Sequence, residues 1–319
     1  MSKGNLIVTQ RFFPLTIGRY IRWALEDLGY NIWTAGTFSD TIPWAAEKDY
    51  SAYIDYPDFE TPEDLNPCPI EPIIAACPFK PDAILSIDAS FNCLGVKETN
   101  IPNALILTDP HALESWYRDA LSQYETIVCM QETYKHLFAH DMNGYPKVLF
   151  TMPYAADHKR HYWNGKDFTN RPYDVGIVSG LIYKERGEGL RAMEKAGLKV
   201  AVEKGVLYEE YSEWYGNTKI AFNWSSERDL CARFWEGMAM RNLVLTNRIP
   251  ELQCFPDLKE NVHYLAYGSV DECVEKALYY TAHQDEAWAI ASAGYSAMWA
   301  GNHFWTQRVS LLMDVLLPK

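Results

Sequence analysis

Long apolar runs are missing from this chain. Nowhere do the roughly 18 unbroken apolar residues of a membrane helix follow one another. The opening segment MSKGNLIVTQ lacks the basic stretch and the long apolar stretch of a secretory leader, so a cytoplasmic location is expected. Paired cysteines are missing too. Cys68, Cys77, Cys93, Cys129, Cys231, Cys254 and Cys273 are odd in number, scattered and without a Cys-x-x-Cys pair, so they offer neither a disulfide framework nor a zinc site. They read as reduced thiols that pack as small hydrophobes. Positive charge is scarce: 29 Lys and Arg face 42 Asp and Glu, for a formal charge of −13. That balance opposes broad attraction to nucleic-acid phosphates or anionic lipid, and leaves only a local basic groove for a nucleic acid. There is no internal repeat and no low-complexity tract.

What is present suits a two-domain α/β protein. A chain of 319 residues, 48% of them hydrophobic, exceeds what one core organises well and can fill two. Residues 5–9 form a short apolar strand, 18–28 carry apolar positions at helical spacing up to Gly29, and 30–35 resume an extended pattern. This is the β-α-β opening of a doubly wound sheet. From 47 to 81 the many prolines predict a loop-rich insertion. Four buried-strand patterns follow, at 83–87, 104–108, 126–130 and 147–150. After a polar joint at 157–171 a second alternation begins, with strands at 174–178, 198–202, 220–223 and 243–246 and helices at 188–196, 209–215 and 232–240. Helical patterns at 270–281, 286–300 and 304–317 close the chain. The expected organisation is a Rossmann-like domain over 1–155 and a second over 172–301, facing each other across a cleft, with 302–319 as a C-terminal helix that can return to the first.

Arg233-Phe234-Trp235-Glu236-Gly237-Met238-Ala239, followed by Leu243-Val244-Leu245-Thr246, resembles the donor-site signature of GT-B glycosyltransferases. More specifically it looks like the glycosyltransferase-like family that includes the spore-maturation protein CgeB. The likeness continues through 262–267, 274–280, 290–294 and 303–308, and upstream through 152–157 and 173–180. Two departures matter. Many GT-B enzymes carry two glutamates in an E-x7-E pattern, and the position matching the first is Arg228 here, beside Glu227. Where the family has Gly after the signature helix this chain has Arg241-Asn242, so a left-handed Asn242 is expected to make the turn.

The resemblance implies α/β GT-B architecture and a nucleotide-sugar donor bound by the second domain without an obligatory metal or other cofactor. Glu236 lies off the apolar face formed by Leu230, Phe234 and Met238, and a carboxylate there can accept both hydroxyls of a ribose diol. The alternative is a solvated helix glutamate. Arg233, near the start of the same helix, suits a diphosphate, a bond that holds Glu236, or a surface salt bridge. Gly180, closing a strand, and Lys184 and Arg186, in the loop expected after it, resemble the phosphate-contacting residues of GT-B donors. In the first domain His111 and Asp109 follow a strand and are the candidates for proton transfer or for contact with the transferred sugar. Asp88 is a further acceptor-side candidate, and His303 and Arg308 match a family pattern that capping and packing explain equally. The resulting expectation is a glycosyltransferase for hexosyl or pentosyl transfer, with the acceptor open. Its rivals are a non-catalytic carbohydrate-binding or structural relative, which Arg228 keeps in play, and a phage-type DNA glycosyltransferase, which the negative charge opposes.

Overall fold

The computed structural model describes residues 2–42, 47–63, 65–88, 91–110, 117, 120–135, 148–180, 183–227 and 229–318. Contacts divide the chain into two units, Met1–Pro153 with Trp305–Lys319, and Tyr154–Phe304.

In the first unit β1 (Asn5–Thr9) leads to α1 (Ile17–Asp27), whose start is fixed by the Thr16 side chain accepting from the Arg19 N–H. Then come β2 (Asn31–Gly36), β3 (Phe59–Glu60), β4 (Cys68–Pro69), α2 (Ile70–Ala76), β5 (Ala83–Ile87), β6 (Cys93–Leu94), β7 (Asn103–Leu107), β8 (Thr126–Cys129) and β9 (Val148–Thr151). The helix α2 lies inside the segment expected to be loop. Its Pro72 falls in the first turn, where a backbone N–H has no helical acceptor and a proline costs little, so the proline-rich text concealed it. Seven strands form one parallel sheet in the order β3-β2-β1-β5-β7-β8-β9, and β4 pairs with β6 apart from it. Strands β5, β7 and β8 are buried along their whole length, hence their nearly unbroken apolar text.

The second unit runs β10 (Tyr173–Val178), α3 (Lys184–Lys195), β11 (Val200–Glu203), α4 (Tyr208–Tyr215), β12 (Thr218–Asn223), α5 (Ala232–Ala239), β13 (Leu243–Asn247), β14 (Leu265–Tyr267), α6 (Val270–Ala282) and α7 (Gln284–Ala300). Its five strands are parallel in the order β11-β10-β12-β13-β14. Val175, Ile177, Ile220, Leu243 and Leu265 from four of them form the core with Leu190 and Met193 of α3. Each such fully buried side chain contributes about 1.5–3 kcal/mol. The last helix, α8 (Trp305–Leu316), packs on α1 in the first unit. Among the described residues no helix is long and apolar enough to cross a membrane.

Candidate functional site

Parallel sheets bind ligands beyond the carboxyl ends of their strands. In the second unit α3 and α5 start there, after β10 and β12, from Tyr183 and Cys231, and among the described residues neither start has a side-chain cap. Their first backbone N–H groups therefore remain to attract an anion.

Helix α5 brings two candidate residues to this edge. Phe234, Trp235 and Met238 bury its apolar side, and Gly237 lets it press on the sheet: a Cβ there would lie 2.9 Å from Val244 Cγ2 and 3.1 Å from Ala221 Cβ. The helix ends in paired bonds, Arg241 N–H to the Met238 carbonyl and Asn242 N–H to the Gly237 carbonyl, both at 3.0 Å. The left-handed residue in that turn is Arg241, at φ 56°, and not Asn242 as expected. Two tethers explain the exchange. The Asn242 amide donates to the carbonyls of Tyr215 and Thr218. The Arg241 guanidinium lies 4.4 Å and 4.0 Å from the ring centres of Trp163 and Trp288.

Arg233 binds both flanking strand ends. Its Nε donates to the Val178 carbonyl at 3.1 Å and its Nη1 to Asn223 Oδ1 at 3.2 Å, while Nη2 makes no hydrogen bond among the described residues. Arg186 is nearby and buried; it belongs to the first turn of α3, one step past the loop expected to hold it. Its Nη1 donates to Ser179 Oγ and its Nη2 to the Trp224 carbonyl, with the Tyr183 and Trp224 rings beside it. Burial, and then the charge of Arg233, push the Arg186 guanidinium down to about 10. Two cations thus share one partly desolvated edge. Gly180 is half-buried beside Ser179, whereas Lys184, also in α3, is exposed and paired with Glu188 at 3.9 Å.

Glu236 is not the solvated glutamate of the alternative account. Its side chain keeps 12% of its exposure. The Tyr211 hydroxyl donates to Oε2 at 2.8 Å, and His161 Nε2 lies 3.7 Å from Oε1. Burial, followed by the Glu236 charge, raises the Tyr211 phenol well above its ordinary value, so it remains a donor. Next to it the Tyr215 hydroxyl accepts the Val178 N–H at 3.1 Å. His161, Tyr211 and Tyr215 escaped the sequence reading. Tyr208, Tyr211 and Tyr215 did carry a signal, since their spacing marks one buried face of α4.

In the first unit Asp88 and Asp109 follow β5 and β7. Asp88 is left-handed at φ 75°, strain of a kind that clusters at functional sites. Both carboxylates face the Tyr117 phenol: burial, then Asp88 and later Asp109, push it well above its ordinary value. The Tyr117 hydroxyl accepts the Thr108 N–H at 3.0 Å. His111 and Arg228 lie outside the described residues. His303 is buried, 2.7 Å from Asp257 Oδ2 and packed against Trp235, and Arg308 is buried in α8.

A cavity of about 1180 Å³ opens beside this edge, beyond β12, β13 and β14, and is lined by Tyr183, Trp224, Asn247, Tyr264 and Gly268 among others. Neither Glu236 nor Arg233 lines it.

Solved structures of similar fold include glycosyltransferases. Sucrose-phosphate synthase from Thermosynechococcus elongatus is 9% identical, with TM-score 0.66 over 98% of each chain. HepE from Anabaena, solved with UDP and glucose, is 10% identical, with TM-score 0.68 over 98% of this chain and 99% of that one. An alpha-glucosyltransferase solved with UDP-glucose and DNA containing an abasic site is 8% identical, with TM-score 0.68 over the same shares. No curated protein matches the chain in sequence. At such identities the likeness establishes the fold, which is GT-B, and within it residues 171–314 match the family described as glycosyl transferase-like.

Proposed function

We propose that this chain is a glycosyltransferase that moves a sugar from a nucleotide-sugar, a UDP-sugar in the first instance, to an acceptor. The observation that carries this reading is the meeting of Arg233, Arg186 and the Glu236 carboxylate where two uncapped helices begin. The leaving diphosphate gains charge as the glycosidic bond breaks. The Nη2 of Arg233, which makes no hydrogen bond among the described residues, and the N–H groups of both helix starts would stabilise it without an obligatory metal. Arg186 holds the two loops together and adds its charge, Gly180 gives the backbone close approach, and Lys184, exposed beside Glu188, is assigned to the rim of the same phosphate site. Glu236 accepts the ribose hydroxyls. UDP is the first choice of nucleotide because two structures of the same fold hold UDP or UDP-glucose. Asp109, with His111, is assigned to proton transfer and to the transferred sugar, and Asp88 to the acceptor.

Isothermal titration with UDP, GDP, dTDP and CDP tests the donor half of this proposal. UDP should bind and Glu236→Ala should weaken it; no affinity for any of the four would overturn the reading. Product analysis with a panel of UDP-sugars tests turnover, and binding without any transfer would identify a non-catalytic relative. Duplex DNA belongs among the acceptors tried, although the charge of −13 opposes it.

A further inference from the structure

We infer that His161 and Tyr211 are positioning residues that orient the Glu236 carboxylate for a vicinal diol. This rests on the reading of Glu236 as the ribose acceptor and says how that acceptor is built. The Tyr211 hydroxyl donates to Oε2 at 2.8 Å, and His161 Nε2 flanks Oε1 at 3.7 Å, beyond hydrogen-bond distance. Tyr211 fills one acceptor direction of Oε2, and with His161 Nε2 beyond hydrogen-bond distance the remaining directions on both oxygens stay open to a ligand among the described residues. That is the pattern a pair of adjacent hydroxyls requires.

The tautomer of His161 is set from behind. Its Nδ1 accepts the Asp157 N–H at 3.0 Å, so the neutral ring carries its proton on Nε2, toward Glu236. Asp157 makes this turn rigid. Its Oδ1 accepts from the N–H groups of Lys159 and Arg160, and its Oδ2 from the Arg160 side chain. The turn is then fastened to α4: the Ser212 hydroxyl donates to the Arg160 carbonyl and accepts the Tyr162 N–H. Because Ser212 adjoins Tyr211, both groups that flank the Glu236 carboxylate are carried by one clamped assembly. The His161 ring also packs edge-on against Tyr211, with centroids 5.5 Å apart. A carboxylate this buried needs partners in any case. Bonding one of its oxygens and flanking the other from one assembly is more than solvation requires.

The experiment measures binding of UDP and of 2′,3′-dideoxy-UDP, which lacks the diol, to the full chain. The readout is the ratio of the two affinities. Tyr211→Phe, which removes a single oxygen, should lower that ratio on the order of tenfold by weakening UDP alone. His161→Ala should do the same, and His161→Gln, which restores an N–H donor, should recover most of the loss. Glu236→Ala should bring the ratio to one. If Glu236→Ala leaves the ratio intact, or the unaltered protein shows no preference for UDP, the ribose reading itself fails. If Glu236→Ala removes the preference while Tyr211→Phe and His161→Ala keep it, or weaken both ligands equally, the ribose reading stands and the positioning role is overturned. Should His161→Ala fail to fold, Tyr211→Phe decides alone.

Discussion

Arg233 ties the last residue of β10 to the last residue of β12, donating from Nε to the Val178 carbonyl at 3.1 Å and from Nη1 to Asn223 Oδ1 at 3.2 Å. The planar fork makes both bonds and still presents Nη2, which an ammonium group on a flexible stem cannot imitate. Arg233→Lys should therefore weaken UDP by about 1.5–3 kcal/mol, the usual loss for a charged hydrogen bond. Uridine, which lacks phosphate, should bind the variant and the parent alike. Equal losses for uridine and UDP in titration calorimetry would remove Arg233 from the phosphate site.

Gly237 meets the sheet so closely that a larger residue must displace Val244 or Ala221. Gly237→Val should cost about 1–3 kcal/mol through overpacking, read as a lower urea midpoint. An unchanged midpoint would mean that α5 can lift from the sheet without penalty.

Arg241 keeps a left-handed backbone while its guanidinium lies over two tryptophan rings. Arg241→Ala keeps the strain and loses the rings, so it should cost about 1–2 kcal/mol. Arg241→Gly relieves the strain and should cost less. Thermal melts that rank glycine below alanine would show that backbone conformation is not what distinguishes the two.

Glu272 accepts the Gly268 N–H at 2.7 Å beside the Ser269 cap of α6. This bond, then the one from Lys276, lowers its carboxyl from 4.5 to about 2. The folded value lies below the unfolded one, so the stabilisation is complete above pH 4.5 and is lost as pH falls toward 2. Denaturant titrations between those limits should give a shallower loss of stability for Glu272→Gln than for the parent. Parallel curves would assign the acid sensitivity to other carboxylates.

His111→Ala and Asp109→Asn should lower kcat by about 100 to 10,000-fold, as removal of a positioned acid or base does. Their affinity for UDP should hold, because an interaction made in the transition state is absent from the ground state. Lost UDP binding in these variants, with Glu236→Ala unaffected, would show the donor to be assigned to the wrong half of the chain.

Much of the framework is legible in the sequence alone. Apolar runs such as 83–87 and 126–129 are strands buried on both faces, and the intervening lengths allow only crossover connections, which makes the sheets parallel. The same text placed Gly180 just past β10 and Arg233 and Glu236 on the helix after β12. Less legible was α2, because prolines announce a break everywhere except in a first helical turn. The turn after α5 departs from local preference: a left-handed asparagine is the better local choice, yet both side chains are committed elsewhere.

By itself the sequence determined the two α/β alternations, the parallel order of construction and the helix that carries Glu236, since hydrophobic periodicity reports each residue's local exposure directly. Only the tertiary structure decided what surrounds that glutamate. Tyr211 lies 25 positions before it and His161 further still, and their meeting depends on how α4 and the turn at 157–161 pack around the sheet. Likewise α8 has an apolar face, and its packing on α1 settled that it belongs to the first unit. Periodicity says that a face is buried; it does not say against what, because the partner is chosen by chain topology and side-chain fit over distances that a local pattern does not encode.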